Sequence, residues 1–148
     1  IGWVGVVQRL QHPNPDCERA MSAFITEFNA IQLRAHRINV ANGWWDERRR
    51  MRACLISGGF SVKSADALFG IHLLGLAHTE LSEGIEALRK ADLPIDSLQP
   101  HSLVRELAGN IVRDMDMAEE MNLPLAEAIE EELACNATRG RMHGKNVA

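Results

Sequence analysis

The sequence predicts an all-α protein, and three observations carry that expectation. Apolar residues recur at three- and four-residue spacing in several segments, no stretch shows the apolar/polar alternation of a half-buried strand, and no internal repeat is visible. A chain of 148 residues with 46% hydrophobic content can bury one sizeable core. The segments amount to a four-helix core with additional short helices.

The elements follow in order. Ile1 to Leu10 is apolar but far below the roughly 20 residues of a membrane span, and it lacks a basic leader. Residues 1–15 are therefore expected to form an arm that packs on the domain or on another subunit. Pro13-Asn14-Pro15-Asp16 reads as a turn with Asp16 as N-cap, after which Met21, Phe24, Ile25, Phe28, Ile31, Ala35 and Ile38 recur at helical spacing. That helix should run to about Ala41 and stop at Asn42-Gly43. Trp44 begins a shorter helix to about Leu55, broken by Ser57-Gly58-Gly59-Phe60-Ser61. The connection is expected to be the most flexible interior stretch. A long helix should then start near Ala65 or Gly70 and end at Lys90. Leu93-Pro94 to Gln99-Pro100 is a linker. Residues 102–122 form a helix whose apolar stripe is Leu103, Leu107, Ala108, Ile111, Met115, Ala118 and Met121. Pro124 suits the first turn of a final helix reaching about Asn136. The helical domain is thus 16–138, with a tail at 139–148.

Charge and cysteine content narrow the function classes. The net charge of -4 disfavours general nucleic-acid binding, which needs clustered Lys and Arg. The one basic run, Arg48-Arg49-Arg50, is a solvated helix face or a device that steers an anionic substrate. Cys17, Cys54 and Cys135 are odd in number and show no CxxC spacing, which fits a reducing cytoplasm without disulfides or zinc.

The chemistry is concentrated in His78-Thr79-Glu80-Leu81-Ser82-Glu83. On a helix Glu80 and Glu83 point within roughly 60° of each other, and Leu73, Leu76, Ala77 and Ala87 fall close to Glu80 on the wheel. A carboxylate bordering an apolar arc must be protonated, paired or bound to a cation, and hard divalent cations take oxygen ligands. The plain alternative is a solvated acidic pair. His78 lies on the opposite, polar side. Glu106 is a further acid in the otherwise apolar first turn of the 102–122 helix. Asn110 and Asp114 follow it at four-residue steps along one slanting row. Asp114 either joins a metal site with Asn110 as a neutral oxygen donor or pairs with an arginine such as Arg113 of a partner subunit or Arg89.

HTELSEGIEALRK, followed some twenty residues later by RELAGNIVRDMDMAEEMNL, resembles the two core helices of the MazG-like all-α nucleoside triphosphate pyrophosphohydrolases. NGWWDERR upstream and ACNATRGRMHGK in the tail extend the resemblance from about Ile38 onward. It implies a magnesium site, with manganese as the substitute ion, in which Glu80, Glu83 and Glu106 are ligands and Glu80 or Glu83 orients or deprotonates the attacking water. The family's fourth acid falls on Gly109. Its basic tail position falls on Glu132 and its aromatic one on Cys135. Asn110 and Asp114 are the candidates to replace the missing ligand. Near the nucleotide the resemblance sets Asn42, Trp44, Trp45 and Asp46, with Asn136, Arg139 and Lys145 reaching phosphates. The residues alone also allow the tryptophans to be core or interface anchors, Asn42 and Asp46 to be helix caps and the tail to be a disordered terminus.

What the resemblance implies is hydrolysis of a nucleoside triphosphate to monophosphate and pyrophosphate in nucleotide house-cleaning. The competing expectation is an inactive nucleotide-binding or structural homologue. A homodimer or homotetramer is expected in either case, because Leu74, Leu81, Ile85 and Leu88 put apolar residues on a second side of the carboxylate helix. Neither a membrane nor nucleic acid is an expected partner.

Overall fold

The computed structural model describes residues 15–90 and 93–139. Five α-helices account for its regular structure: α1 (Pro15–Ala41), α2 (Trp44–Ser57), α3 (Val62–Lys90), α4 (Leu103–Glu120) and α5 (Leu125–Thr138). The described residues contain no strand, so the all-α expectation holds. None of these helices is long and apolar enough to cross a membrane. The expected arm before Pro15 and the tail from Gly140 lie outside the described residues.

Local chemistry explains the helix ends. Asn42 and Gly43 close α1 through backbone bonds to Ile38 and Val40, and Gly43 takes the left-handed conformation (φ 80°) that a glycine adopts without strain. Gly59 does the same (φ 98°) in the turn after α2. The helix α3 begins at Val62, earlier than the expected Ala65 or Gly70. The reason is a cap that apolar spacing does not reveal: the Ser61 hydroxyl accepts the Ser64 backbone N–H at 3.1 Å. Ser102 caps α4 by accepting the Arg105 N–H, and its own hydroxyl donates to the Ser97 carbonyl at 2.6 Å.

The chain divides into two compact units, one spanning residues 31–124 and the other comprising residues up to 30 with those from 125 onward. Within the larger unit α3 and α4 run antiparallel. Gly84 faces Leu103 and Glu106, position 109 faces Glu80, and Gly70 faces Met121. Along α3 the positions that face α4 or are buried recur every three to four residues, at Gly70, Leu73, Ala77, Glu80 and Gly84. A small core of Trp45, Phe69 and Leu73, with Met117 against it, joins α2 to this pair. Arg52 and Asp66 bond on its rim at 2.5 Å.

Parts of two expected apolar stripes face outward. On α4, Leu107 and Ile111 are about half exposed and Ala108 is exposed, whereas Glu106, Met115, Asp116 and Ala118 are buried. On α1, Ile31 and Ile38 are exposed while Gln32 is buried. The cause is a set of charged and polar side chains that satisfy one another across the helices and so take the inner faces. A third outward row on α3 comprises Leu68, Ile71, Leu74, Leu81, Ile85 and Leu88.

Candidate functional site

Asp116 organises one end of α4. Its carboxylate is 4% exposed and accepts from Trp45 Nε1 at 2.8 Å and Asn39 Nδ2 at 2.7 Å, with His36 Nδ1 at 2.8 Å. Arg48 Nη1 lies 3.8 Å away and stacks its guanidinium over the Trp45 ring. Next to it Gln32 donates to Glu119, and Arg49 grips Glu120 with two bonds of 3.0 and 2.6 Å. This network ties α1, α2 and α4 together and fixes the floor of an open cleft of about 670 Å³. Trp44, Arg48, His72, Glu80, Gly109 and Arg113 are among its lining residues. Trp44, 60% exposed, presents its ring there, while Trp45 is fully buried beneath.

The cleft carries two arginines on one side and an acid cluster at its edge. Burial pushes the Arg48 guanidinium below its ordinary value, Asp116 opposes that, and Arg113 adds to it, so the two guanidiniums feel each other. Arg113 Nε donates to Glu80 Oε1 at 2.5 Å. The other Glu80 oxygen fills the space that a side chain at position 109 would need, so Gly109 is where the Glu80 carboxylate rests against α4.

Beyond Glu80 lie Glu83, Glu106 and His101, the last three having ligand atoms within 4.8 Å of one another. Glu106 is 6% exposed. Burial holds its carboxyl above the usual carboxylate range, and Glu83 and Glu80 push it further the same way, with only His101 opposing. Three of the acids singled out by sequence therefore meet, Glu80 and Glu83 from α3 and Glu106 from α4. Asn110 and Asp114 do not join them. Asn110 donates to Asp114 at 3.0 Å, and burial raises the Asp114 carboxyl. Neither arginine considered for Asp114 reaches it within this chain, since Arg113 serves Glu80 and Arg89 pairs with Glu86.

Of the remaining candidates, Asn42 ends α1 and Asp46 sits in the first turn of α2, both exposed and outside the cleft lining. Asn136 and Arg139 belong to the other compact unit, where Arg139 pairs with Glu132 at 3.5 Å. Lys145 lies outside the described residues. The basic run is not a uniform solvated face: Arg48 enters the cleft floor, Arg49 binds Glu120 and Arg50 reaches the Asp46 carbonyl. Sequence reasoning missed Asp116, His101 and His36. Asp116 left a signal, an acid between Met115 and Met117 on a helix that must bury one face. His101 left none, because its neighbourhood with Glu83 exists only once α3 and α4 pack.

Compared with protein-family models, curated proteins and solved structures, the chain finds no match in any of the three.

Proposed function

We propose that this protein is a divalent-cation-dependent nucleoside triphosphate pyrophosphohydrolase, built on a helical bundle of the MazG-like type and releasing nucleoside monophosphate and pyrophosphate. The observation that carries the reading is the meeting of Glu80, Glu83 and Glu106 beside a cleft with two arginines and an exposed tryptophan. The four sequence motifs in the family's order support it.

A cation fits this donor set. Hard divalent ions take carboxylate oxygens, and the Glu106 carboxyl, buried and pressed by two other acids, is a group whose charge an ion would stabilise. Glu83 and Glu106 would hold magnesium, with Glu80 at the cleft side. The bound ion would neutralise phosphate charge and lower the pKa of its water. Arg48 and Arg113 would attract the triphosphate, and the Trp44 ring offers a stacking surface for a base. Glu80, at the border of cleft and cluster, is placed to orient a water toward the phosphate chain and to receive its proton.

The outward rows on α3 and α4 support a homo-oligomer, since a chain that leaves Leu74, Leu81, Ile85, Leu88, Leu107 and Ile111 exposed has surface for a second copy to cover. A cytoplasmic setting agrees with the free thiols of Cys54 and Cys135.

The test is a panel of ribo- and deoxyribonucleoside triphosphates with magnesium or manganese, read for pyrophosphate against orthophosphate, beside a nucleotide-binding titration. Cation-dependent pyrophosphate release is expected. Binding without turnover selects the inactive homologue, and the absence of both defeats the nucleotide reading.

A further inference from the structure

A two-helix apolar face lies behind the cleft. The residues of α3 that line the cleft, His72, Leu73, Leu76 and Glu80, occupy one side of that helix. At about 100° per residue, Ile71, Leu74, His78, Leu81, Ile85 and Leu88 centre roughly 160° away from them. All six are exposed, the five aliphatic ones by 40–65%. Their spacing alternates between three and four residues without a break, which is the step of a coiled-coil seam. On α4 the exposed Leu107 and Ile111 likewise lie opposite the cleft residues Gly109, Val112 and Asp116.

We infer that a second copy of this chain covers this face, with the two α3 helices antiparallel about a twofold axis between Thr79 and Glu80 and the two clefts facing outward. The inference deepens the homo-oligomer of the reading above and is independent of the reaction. A seam whose one titratable member is His78 needs an apolar cover, which neither nucleic acid nor a charged peptide provides. A second copy offers one of matching period and length. In that register every layer closes: Ile71 meets Leu88 of the partner subunit, Leu74 meets Ile85 of the partner subunit, and His78 meets Leu81 of the partner subunit. Gly75 then meets Ser82 of the partner subunit, two small side chains at the edge of the seam. Within its own chain Gly75 has no such reason, since a mid-helix glycine weakens α3 and a Cβ there would meet nothing within 4 Å. Asp114, the acid on the α4 side of the face, already accepts from the Asn110 amide at 3.0 Å. With Leu107 and Ile111 the face presents about 700 Å² of apolar side chain per copy, so two copies would bury about 1,400 Å², inside the range of about 1,200–2,000 Å² for stable interfaces. His78, polar at one seam position, weakens the pair while fixing its register.

The experiment is light scattering behind size exclusion on the full chain, with sedimentation equilibrium for the dissociation constant and far-ultraviolet circular dichroism for folding. Wild type is expected to be at least a dimer at micromolar concentration. Gly75→Gln fills space that is open in one chain and favours its helix, so the helix signal should hold while the dissociation constant rises about tenfold or more. Leu81→Glu should break the pair, and His78→Leu should tighten it about tenfold or more. Leu74→Glu and Ile85→Lys should each break it, whereas both together set opposite charges across an antiparallel seam and like charges across a parallel one, so the double variant should recover the pair. A double variant that stays apart would overturn the antiparallel register. Wild-type assembly indifferent to Gly75→Gln and Leu81→Glu would overturn the face. A monomeric wild type would overturn it too, and a loss of stability in its Leu81→Glu form would assign the face to the chain's own residues 1–10. Pyrophosphate release by a monomer would sink the pairing and keep the reaction, and a dimer without turnover would do the reverse.

Discussion

Two buried acids on one helix meet opposite fates. Asp116 and Glu106 lie ten residues apart on α4, both on the inner face and both nearly inaccessible. Asp116 is surrounded by Trp45, Asn39, His36 and Arg48, so its charge is satisfied from within the chain. Glu106 faces Glu83, Glu80 and a single exposed histidine. One end of the helix is an internally complete polar core, and the other gathers like charges. The two carboxylates differ in their neighbours and not in their depth.

The sharpest way to break this contrast is Asp116→Ala. It leaves the Trp45 indole N–H, the Asn39 amide and Arg48 without their acceptor at the cleft floor, and breaking a buried charge network from one side costs about 3–5 kcal/mol. Urea unfolding should register that loss with or without metal. A cost below about 1 kcal/mol would mean that the network is not what holds α1, α2 and α4 together.

The contrast also marks how far the sequence could be read. Helix ends were legible where glycine punctuates the chain, as at Gly43. The start of α3 was not, since Ser61 caps it from within a stretch that otherwise reads as loop. The three acids Glu80, Glu83 and Glu106 could be singled out because carboxylates among apolar neighbours are costly. The inner faces of α1 and α4 were only partly assigned by periodicity, which rightly buries Met115 and Ala118 but also gives the buried side to Ile31, Ile38, Leu107 and Ile111. Here His36, Asn39, Glu106 and Asp116 pair or cluster across helices, and pairing over long sequence separations leaves no local pattern.

Glu106→Gln is expected to act in the reverse sense to Asp116→Ala. Metal-dependent pyrophosphate release should fall about 100-fold or more, which is about 2.7 kcal/mol of barrier, and Glu83→Gln should do the same. Stability should rise. A carboxyl whose folded value is raised above its ordinary 4.5 favours the protonated native state, so its ionisation works against folding as pH climbs from about that value upward. Below that range wild type and Glu106→Gln should be equally stable. Above it the variant should pull ahead, and saturating manganese should reverse the gap by stabilising wild type alone. Parallel stability curves across pH would remove the strain assigned to Glu106.

A smaller effect is expected from Gly109→Asp. The new side chain must displace the Glu80 carboxylate, which is the mobile end of a flexible residue, and it places an acid one turn after Glu106. Replacing a mid-helix glycine recovers only part of its penalty of about 1 kcal/mol, because aspartate is itself a poor helix former, and the extra negative charge opposes even that without metal. Turnover should gain about tenfold, or about 1.4 kcal/mol. A loss of turnover instead would show that Glu80 works from its present place above Gly109.

The smallest change in stability is expected from Arg113→Gln. Arg113 is 39% exposed and its bond to Glu80 lies at the cleft surface, where solvent screens ion pairs to about 0–1 kcal/mol. Unfolding free energy should therefore move by less than about 1 kcal/mol. The informative readout is metal affinity. Without the guanidinium, Glu80 loses its competing partner and no cation opposes an incoming ion, so manganese should bind a few-fold more tightly while triphosphate binding weakens. A destabilisation as large as that of Asp116→Ala would place Glu80 and Arg113 in the internally complete end of α4. The division between a satisfied acid and an expectant one would then have to be drawn elsewhere along the helix.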